Sequence, residues 1–129
     1  MEDQKTTPTA AELEILNILW EEEPLTVRDV HEKLAQTRDI GYTTALKIMQ
    51  NMTSKGLLGR EPNGKNHLYR SIYQKEETRG KLLDRFLEST FAGSAASLVM
   101  QLLGNKKTTA GELDEIKRII GQMEQNAKP

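Results

Sequence analysis

Apolar residues recur every three or four positions over the first third of the chain, a spacing that places them on one face of a helix. Two polar residues predict where the first helices begin. Thr9 followed by Glu12 is typical of a capping box at the start of a first helix. Thr26 can cap a second helix, which we expect to run to about Gln36.

A third helix is predicted from about Tyr42 to Lys55. Gly41 interrupts the chain before it, and Gly56 can end it as a C-terminal cap. Its inward face carries the apolar residues Ala45, Ile48, Met49 and Met52. Three short helices in succession predict a small tri-helical core.

The pattern becomes strand-like after Gly56. Two short segments, residues 57–61 and 66–70, flank the sequence Pro62-Asn63-Gly64-Lys65. Both central residues of a type I′ turn need positive φ, which Asn and Gly adopt at low cost. Asn63-Gly64 therefore predicts a hairpin turn with a basic tip.

From about Gln74 the helical spacing returns in three amphipathic segments, the last opened by a capping box of Thr109 and Glu112. The tri-helical core leaves little apolar surface for these segments to cover. We expect a second copy of the chain, related by two-fold symmetry, to bury their apolar faces. The residues expected at this homodimer interface are Leu82, Leu83, Phe86, Leu87, Phe91, Leu98, Val99, Leu102, Leu113, Ile116, Ile120 and Met123.

Three helices followed by a hairpin are the components of a winged helix-turn-helix domain. The predicted fold is therefore mainly α. It has a winged-helix DNA-binding domain with a small β-hairpin wing over residues 1–73, and a helical dimerisation domain over residues 74–129.

Charge is distributed unevenly along the 129 residues, although the formal net charge is only -1. Residues 1–37 hold three basic and nine acidic groups, whereas residues 38–71 hold six basic groups and two acidic ones. A local excess of cations is what the release of counterions from DNA phosphates requires. The third helix and the hairpin lie in this basic segment.

The third helix can enter the major groove of a double-stranded DNA operator, since short hydrogen-bonding groups and a cation project from it. The residues expected to bind DNA are Tyr42, Thr43, Thr44, Lys47, Gln50 and Asn51 on this helix, and Arg60, Lys65 and Asn66 on the hairpin. Two alternatives stay open. Thr43 and Thr44 can simply cap the helix, and Arg60 and Lys65 can be solvated hairpin residues.

Catalysis has little support in the sequence. There is no cysteine, no glycine-rich phosphate loop, and no second histidine at metal-ligand spacing from His31 or His67. We therefore expect no catalytic residue, no metal and no cofactor, so an enzyme is disfavoured. The alternative function is a winged-helix module that binds protein without binding DNA.

No membrane span and no signal peptide can be placed on the sequence, so we expect a cytoplasmic protein with no membrane insertion.

Three stretches carry a resemblance to a known family: Thr9-Ala-Ala-Glu-Leu-Glu-Ile-Leu-Asn-Ile-Leu-Trp20, Leu25-Thr-Val-Arg-Asp-Val30 and Tyr42-Thr-Thr-Ala-Leu-Lys-Ile-Met-Gln-Asn-Met-Thr-Ser-Lys-Gly-Leu57. They resemble the penicillinase repressor (BlaI/MecI type) family of winged-helix transcriptional regulators. The resemblance extends more weakly through the hairpin into the C-terminal helices. It implies a homodimeric repressor of a dyad operator, with Thr44 and its neighbours facing the DNA.

The same resemblance implies how the repressor is released from its operator. Members of the family are often inactivated by proteolysis in the dimerisation region, after a membrane sensor detects a β-lactam. For this chain the resemblance implies a membrane sensor metalloprotease that acts directly or indirectly. The family's cut falls between an Asn and a Phe, and the aligned pair in this chain is Gln101 and Leu102.

Overall fold

The computed structural model describes residues 7–105 and 107–127. In this part the chain forms six helices and one two-stranded antiparallel sheet. The helices are α1 (Ala10–Glu21), α2 (Val27–Leu34), α3 (Tyr42–Ser54), α4 (Lys75–Phe91), α5 (Ala95–Gly104) and α6 (Ala110–Ala127), and the strands are β1 (Leu58–Asn63) and β2 (Asn66–Ser71). The predicted fold class, mainly α with a hairpin wing after three helices, is confirmed.

Capping boxes fix the starts of the first two helices. In α1 the Thr9 hydroxyl accepts from the Glu12 amide at 3.2 Å, and a Glu12 carboxylate oxygen accepts from the Thr9 amide at 2.9 Å. Thr26 and Asp29 form the same pair of bonds at the start of α2. Both predicted starts are confirmed. They were predictable because each capping box joins residues only three positions apart.

The end of α2 is earlier than predicted. The helix ends at Leu34 and not near Gln36. The Leu34 carbonyl accepts from the amides of Thr37 and Arg38, at 3.0 and 3.1 Å. The Thr37 bond reaches back three residues and not four, as does the bond from the Gln36 amide to the Lys33 carbonyl, so the α-helical bonding gives way to a tighter turn there.

The hydrophobic core lies between α1, α2, α3 and the sheet. Leu25 adds a single paired residue beside β2, because it exchanges two backbone hydrogen bonds with Tyr69, at 3.1 and 2.7 Å. This pairing holds the wing against the segment that leads into α2. The buried cluster comprises Ile15, Leu16, Leu19, Leu25, Val27, Val30, Leu34, Met49, Met52, Leu57, Leu58 and Tyr69.

The wing has a different turn from the predicted one. Asn63 pairs with Asn66 in the ladder, so the two loop residues are Gly64 and Lys65. Gly64 has a φ of +65°. Lys65 does not have a positive φ, because Ala92 is the one non-glycine residue with positive φ in the described ranges. The prediction of a type I′ turn at Asn63-Gly64 is wrong. A loop with glycine first needs positive φ at only one central residue, and Gly64 supplies it without steric cost.

The three C-terminal helices are separated by capped breaks. Ala92 and Gly93, both with positive φ, end α4. The Ser94 hydroxyl caps α5, and the predicted capping box of Thr109 and Glu112 opens α6. The contacts of the chain form two compact units, one ending at Leu83 and the other beginning at Asp84, so their border lies inside α4. The functional border at residues 73 and 74 stays a prediction.

Candidate nucleic-acid interface

The third helix, α3, separates into a core face and an exposed face. Ala45, Met49 and Met52 recur at steps of four and three and are buried. The six α3 residues among those predicted to contact DNA all lie on the exposed remainder of the helix: Tyr42, Thr43, Thr44, Lys47, Gln50 and Asn51. Their side chains are therefore available to a ligand, although their contact with DNA stays a prediction.

The start of α3 has no side-chain cap. Gly41 is the N-cap residue, and no side chain accepts from the first turn. Thr43 and Thr44 are the second and third residues of the helix, so capping is not their role. Backbone amides in a first turn without a cap are open to an anion such as a phosphate.

The predicted wing residues are also exposed. Lys65 lies in the two-residue loop, Asn66 begins β2, and Arg60 lies on β1 opposite Tyr69. Arg70, which is also on the wing, bonds to Glu61 at 2.8 Å. Its charge is therefore partly neutralised within the hairpin.

Ion pairing divides the basic side chains of residues 38–71 into two sets. Three are bonded to carboxylates: Arg38 to Glu14, Lys55 to Glu12 and Arg70 to Glu61. Within residues 7–105 and 107–127, the other three, Lys47, Arg60 and Lys65, form no ion pair. The cations left without a carboxylate are those predicted to contact DNA.

An open cleft of about 770 Å³ lies between α2, the N-terminal turns of α3 and the wing. It brings together three of the predicted residues, Tyr42, Lys65 and Asn66. The other predicted residues, Thr43, Thr44, Lys47, Gln50, Asn51 and Arg60, do not line it. Its full lining is Thr26, Val27, Arg28, His31, Glu32, Tyr42, Leu46, Lys65, Asn66, His67 and Tyr69.

Arg28 and His67 line this cleft and were missed by the sequence reasoning. Arg28 belongs to the net-acidic first segment, and His67 has no second histidine at metal-ligand spacing. No local pattern could have found either residue. They face one cleft because Leu25 pairs with Tyr69, which brings the wing beside the start of α2.

Apolar residues of the C-terminal helices are exposed in the single chain. Neither α5 nor α6 contains a buried residue. Phe86 of α4 is 47% exposed and Met123 of α6 is 65% exposed. The residues predicted for the dimer interface are half-buried or exposed throughout, and their role stays a prediction.

The predicted cleavage pair lies on α5. Gln101 and Leu102 are both exposed, and the Gln101 amide donates to the Asn105 side chain at 3.4 Å.

Residues 7–105 and 107–127 contain no group of three or more His, Cys, Asp or Glu residues placed to hold a metal ion. No single described helix is long and apolar enough to cross a membrane. Taken together, α4 and α5 meet that requirement by length and composition, but the pair bends by 86° at the break between them.

A model of the penicillinase repressor family matches residues 8–122. The chain belongs to the penicillinase repressor family. The family resemblance seen in the sequence is therefore confirmed over most of the chain, including the C-terminal helices. Membership also confirms the predicted class of function, that of a transcriptional repressor.

Relatives of this penicillinase repressor family member are named as regulators and not as enzymes. The transcriptional regulator BlaI of Mycobacterium tuberculosis is 28% identical over 112 residues, which cover 85% of this chain and 80% of that protein. The methicillin resistance regulatory protein MecI of Mammaliicoccus sciuri is 23% identical over 121 residues, covering 93% and 98%.

Among solved structures, the transcriptional regulator Tm0710 from Thermotoga maritima has a similar fold, with a TM-score of 0.53 and 20% identity. The match covers 94% of this chain and 80% of that one. At this identity the likeness concerns the fold alone.

Proposed function

We propose that this chain represses transcription by binding a dyad operator in double-stranded DNA as a homodimer. Residues 1–73 of each copy would bind one half-site, and residues 74–129 would join the two copies. The observation that carries the proposal is the division of the basic side chains. Lys47, Arg60 and Lys65 have no carboxylate partner in the described ranges and lie exposed on α3 and the wing.

In this proposal α3 is the recognition helix. Its first turns enter the major groove, where Thr43, Thr44, Gln50 and Asn51 hydrogen-bond to base edges. Lys47 binds a phosphate or the acceptor edge of a guanine. The uncapped first turn of α3 supports this placement, because its free amides can bind a phosphate and so orient the helix.

The wing and α2 supply the backbone contacts. Lys65, Asn66 and Arg60 bind phosphates beside the groove that α3 occupies. Arg28 joins them, because it lines the same cleft as Lys65 and Asn66. Two cations that line one cleft, Arg28 and Lys65, suit a ligand whose negative charge is repeated along its length, as in a DNA strand.

Two copies are needed for tight binding. The exposed apolar residues of α4, α5 and α6 would be covered by the same residues of a partner copy, which gives the two-fold symmetry of a dyad operator. Binding of the first half-site then raises the effective concentration of the second domain at its own half-site. Separation of the copies would release the DNA for the same reason.

We also propose, from the family resemblance, that proteolysis in α5 ends repression. Cleavage between Gln101 and Leu102 would divide the dimerisation region, and a membrane sensor metalloprotease would trigger it directly or indirectly. The exposure of both residues supports access to this segment, once the helix opens locally.

Selection of bound duplexes from a random pool tests the repressor proposal. The expected product is an inverted repeat with half-sites centred about 10 base pairs apart, or a multiple of that spacing. Enrichment of a single, asymmetric site would contradict the homodimer. No enrichment of any sequence over several rounds would contradict operator binding altogether.

A further inference from the structure

His31 of α2 contacts the chain on both sides of Gly41, the N-cap residue of α3. Its Nε2 lies 2.7 Å from the carbonyl oxygen of Ile40, the residue before Gly41. Because a carbonyl oxygen can only accept, this nitrogen donates and carries the proton. The imidazole ring also meets the ring of Tyr42, the residue after Gly41, edge to face, with centroids 6.0 Å apart and an interplanar angle of 84°.

These contacts matter because α3 begins differently from α1 and α2, the helices packed against it. Side chains cap α1, α2, α5 and α6 at Thr9, Thr26, Ser94 and Thr109, whereas Gly41 offers no side chain to α3. A cap would fix the start of α3 but would occupy an amide that a phosphate can use. The His31 bond holds the preceding carbonyl and leaves those amides free.

We propose that His31 is a positioning residue for operator reading. It fixes the place where the recognition helix begins, by bonding Ile40 and packing against Tyr42, and thereby sets Tyr42, Thr43 and Thr44 against the base edges. The inference rests on the proposed operator binding. It assigns sequence discrimination to a side chain that need not touch DNA, since a displaced first turn forfeits base contacts whose geometry is narrow.

Three substitutions separate the two contacts. H31Q keeps an N–H donor at about the reach of Nε2 and removes the ring. H31F keeps a ring for Tyr42 and removes the donor, and H31L removes both. Each variant is titrated at one salt concentration with two duplexes, an operator selected with the wild type and a scrambled sequence. The salt slope of operator binding and the thermal midpoint of unfolding are measured separately.

The hydrogen bond is expected to carry most of the effect. H31F and H31L should bind the operator about fivefold more weakly, the effect of one typical hydrogen bond on an equilibrium, and bind scrambled DNA as the wild type does. The salt slope should not change, because no phosphate contact is lost. H31Q should recover most of the operator affinity.

Full operator affinity in H31F or H31L overturns the inference while leaving operator binding intact. Equal losses on both duplexes also overturn it, since they indicate a purely structural role. A wild type that discriminates no sequence instead overturns the proposed function. Nitrogen NMR of the wild-type protein gives a test that does not depend on folding of a variant. The neutral ring of His31 should carry its proton on Nε2, and a proton on Nδ1 contradicts the assignment.

Discussion

Lys55, at the C-terminal end of α3, donates from Nζ to Oε1 of Glu12 at 2.7 Å, across 43 positions of the chain. The same Glu12 oxygen accepts from the Thr9 amide in the capping box of α1. Glu12 is buried, with its side chain 8% exposed, whereas Lys55 is 31% exposed. One carboxylate therefore caps the start of α1 and holds the C-terminal end of α3.

Replacing Glu12 should cost more than an ordinary helix cap. E12A removes the capping box and the ion pair together, and we expect it to lower the free energy of unfolding by about 2 kcal/mol. D29A, in the matching box of α2 with no ion pair in the described ranges, should cost about 1 kcal/mol. Urea unfolding at one fixed protein concentration measures both, since self-association also contributes to stability.

A double-mutant cycle of E12A with K55M isolates the ion pair. The coupling free energy should be about 1 kcal/mol in favour of the pair. Equal destabilisation by E12A and D29A, with no coupling to Lys55, would show that the bond between the two helices contributes nothing.

The turn of the wing predicts different sensitivities for two adjacent residues. G64A forces a side chain into a φ of +65° and should destabilise the protein by about 1 to 2 kcal/mol. N63A should cost less than about 0.5 kcal/mol, because Asn63 is an exposed strand residue and not a left-handed turn residue. Thermal unfolding measures both, and a costly N63A beside a costly G64A would support the Asn63-Gly64 turn, in which both residues need positive φ.

Local patterns predicted the parts of the fold that depend on neighbours in the chain. Thr9 and Thr26 were recognisable as caps because each bonds three residues away, and the buried face of α3 followed from helical spacing. The wing register could not be predicted, since turns at Asn63-Gly64 and at Gly64-Lys65 both leave Tyr69 and Leu58 on the core side.

The candidate site was predictable only in part, for a similar reason. The sequence placed the exposed residues of α3 and the wing correctly, but it could not show which cations are paired. Arg70 and Lys47 carry the same charge, and only the fold brings Glu61 to Arg70. The contribution of Arg28 to the cleft likewise depends on a long-range pairing of Leu25 with Tyr69.

A charge placed among the exposed apolar residues should separate the proposed dimer. F86D or I116D would put a carboxylate into an apolar interface, where a charge without a partner is strongly unfavourable. We expect light scattering to give the mass of a single chain for each variant. Q125D, which adds the same charge to an exposed polar position of α6, is the matched control and should remain dimeric. An unchanged dimer in both F86D and I116D would exclude these residues from the interface.

Thr44 should influence sequence preference more than overall affinity. T44A removes a hydroxyl from the exposed face of α3, so the preference for a selected operator over a scrambled duplex should fall about fivefold, the effect of one hydrogen bond. S54A, an exposed hydroxyl at the other end of the same helix, should leave the preference unchanged. Fluorescence anisotropy titrations with both duplexes measure the ratio. Equal losses on the two duplexes would remove Thr44 from base reading.

The salt dependence of binding should distinguish paired from unpaired cations. Operator affinity should fall steeply as salt rises, and K47A and K65A should each lower the slope of log K against log salt by about one unit, because each removes one phosphate contact. The matched control is the double variant E61A/R70A, which removes a cation together with its carboxylate and should leave the slope nearly unchanged.

Titrations over a range of salt concentrations measure these slopes. A control slope that falls as far as those of K47A and K65A would mean that ion pairing in the free protein does not select the phosphate contacts. A wild-type affinity that does not vary with salt would favour the alternative function, a winged helix whose exposed α3 face binds a protein partner.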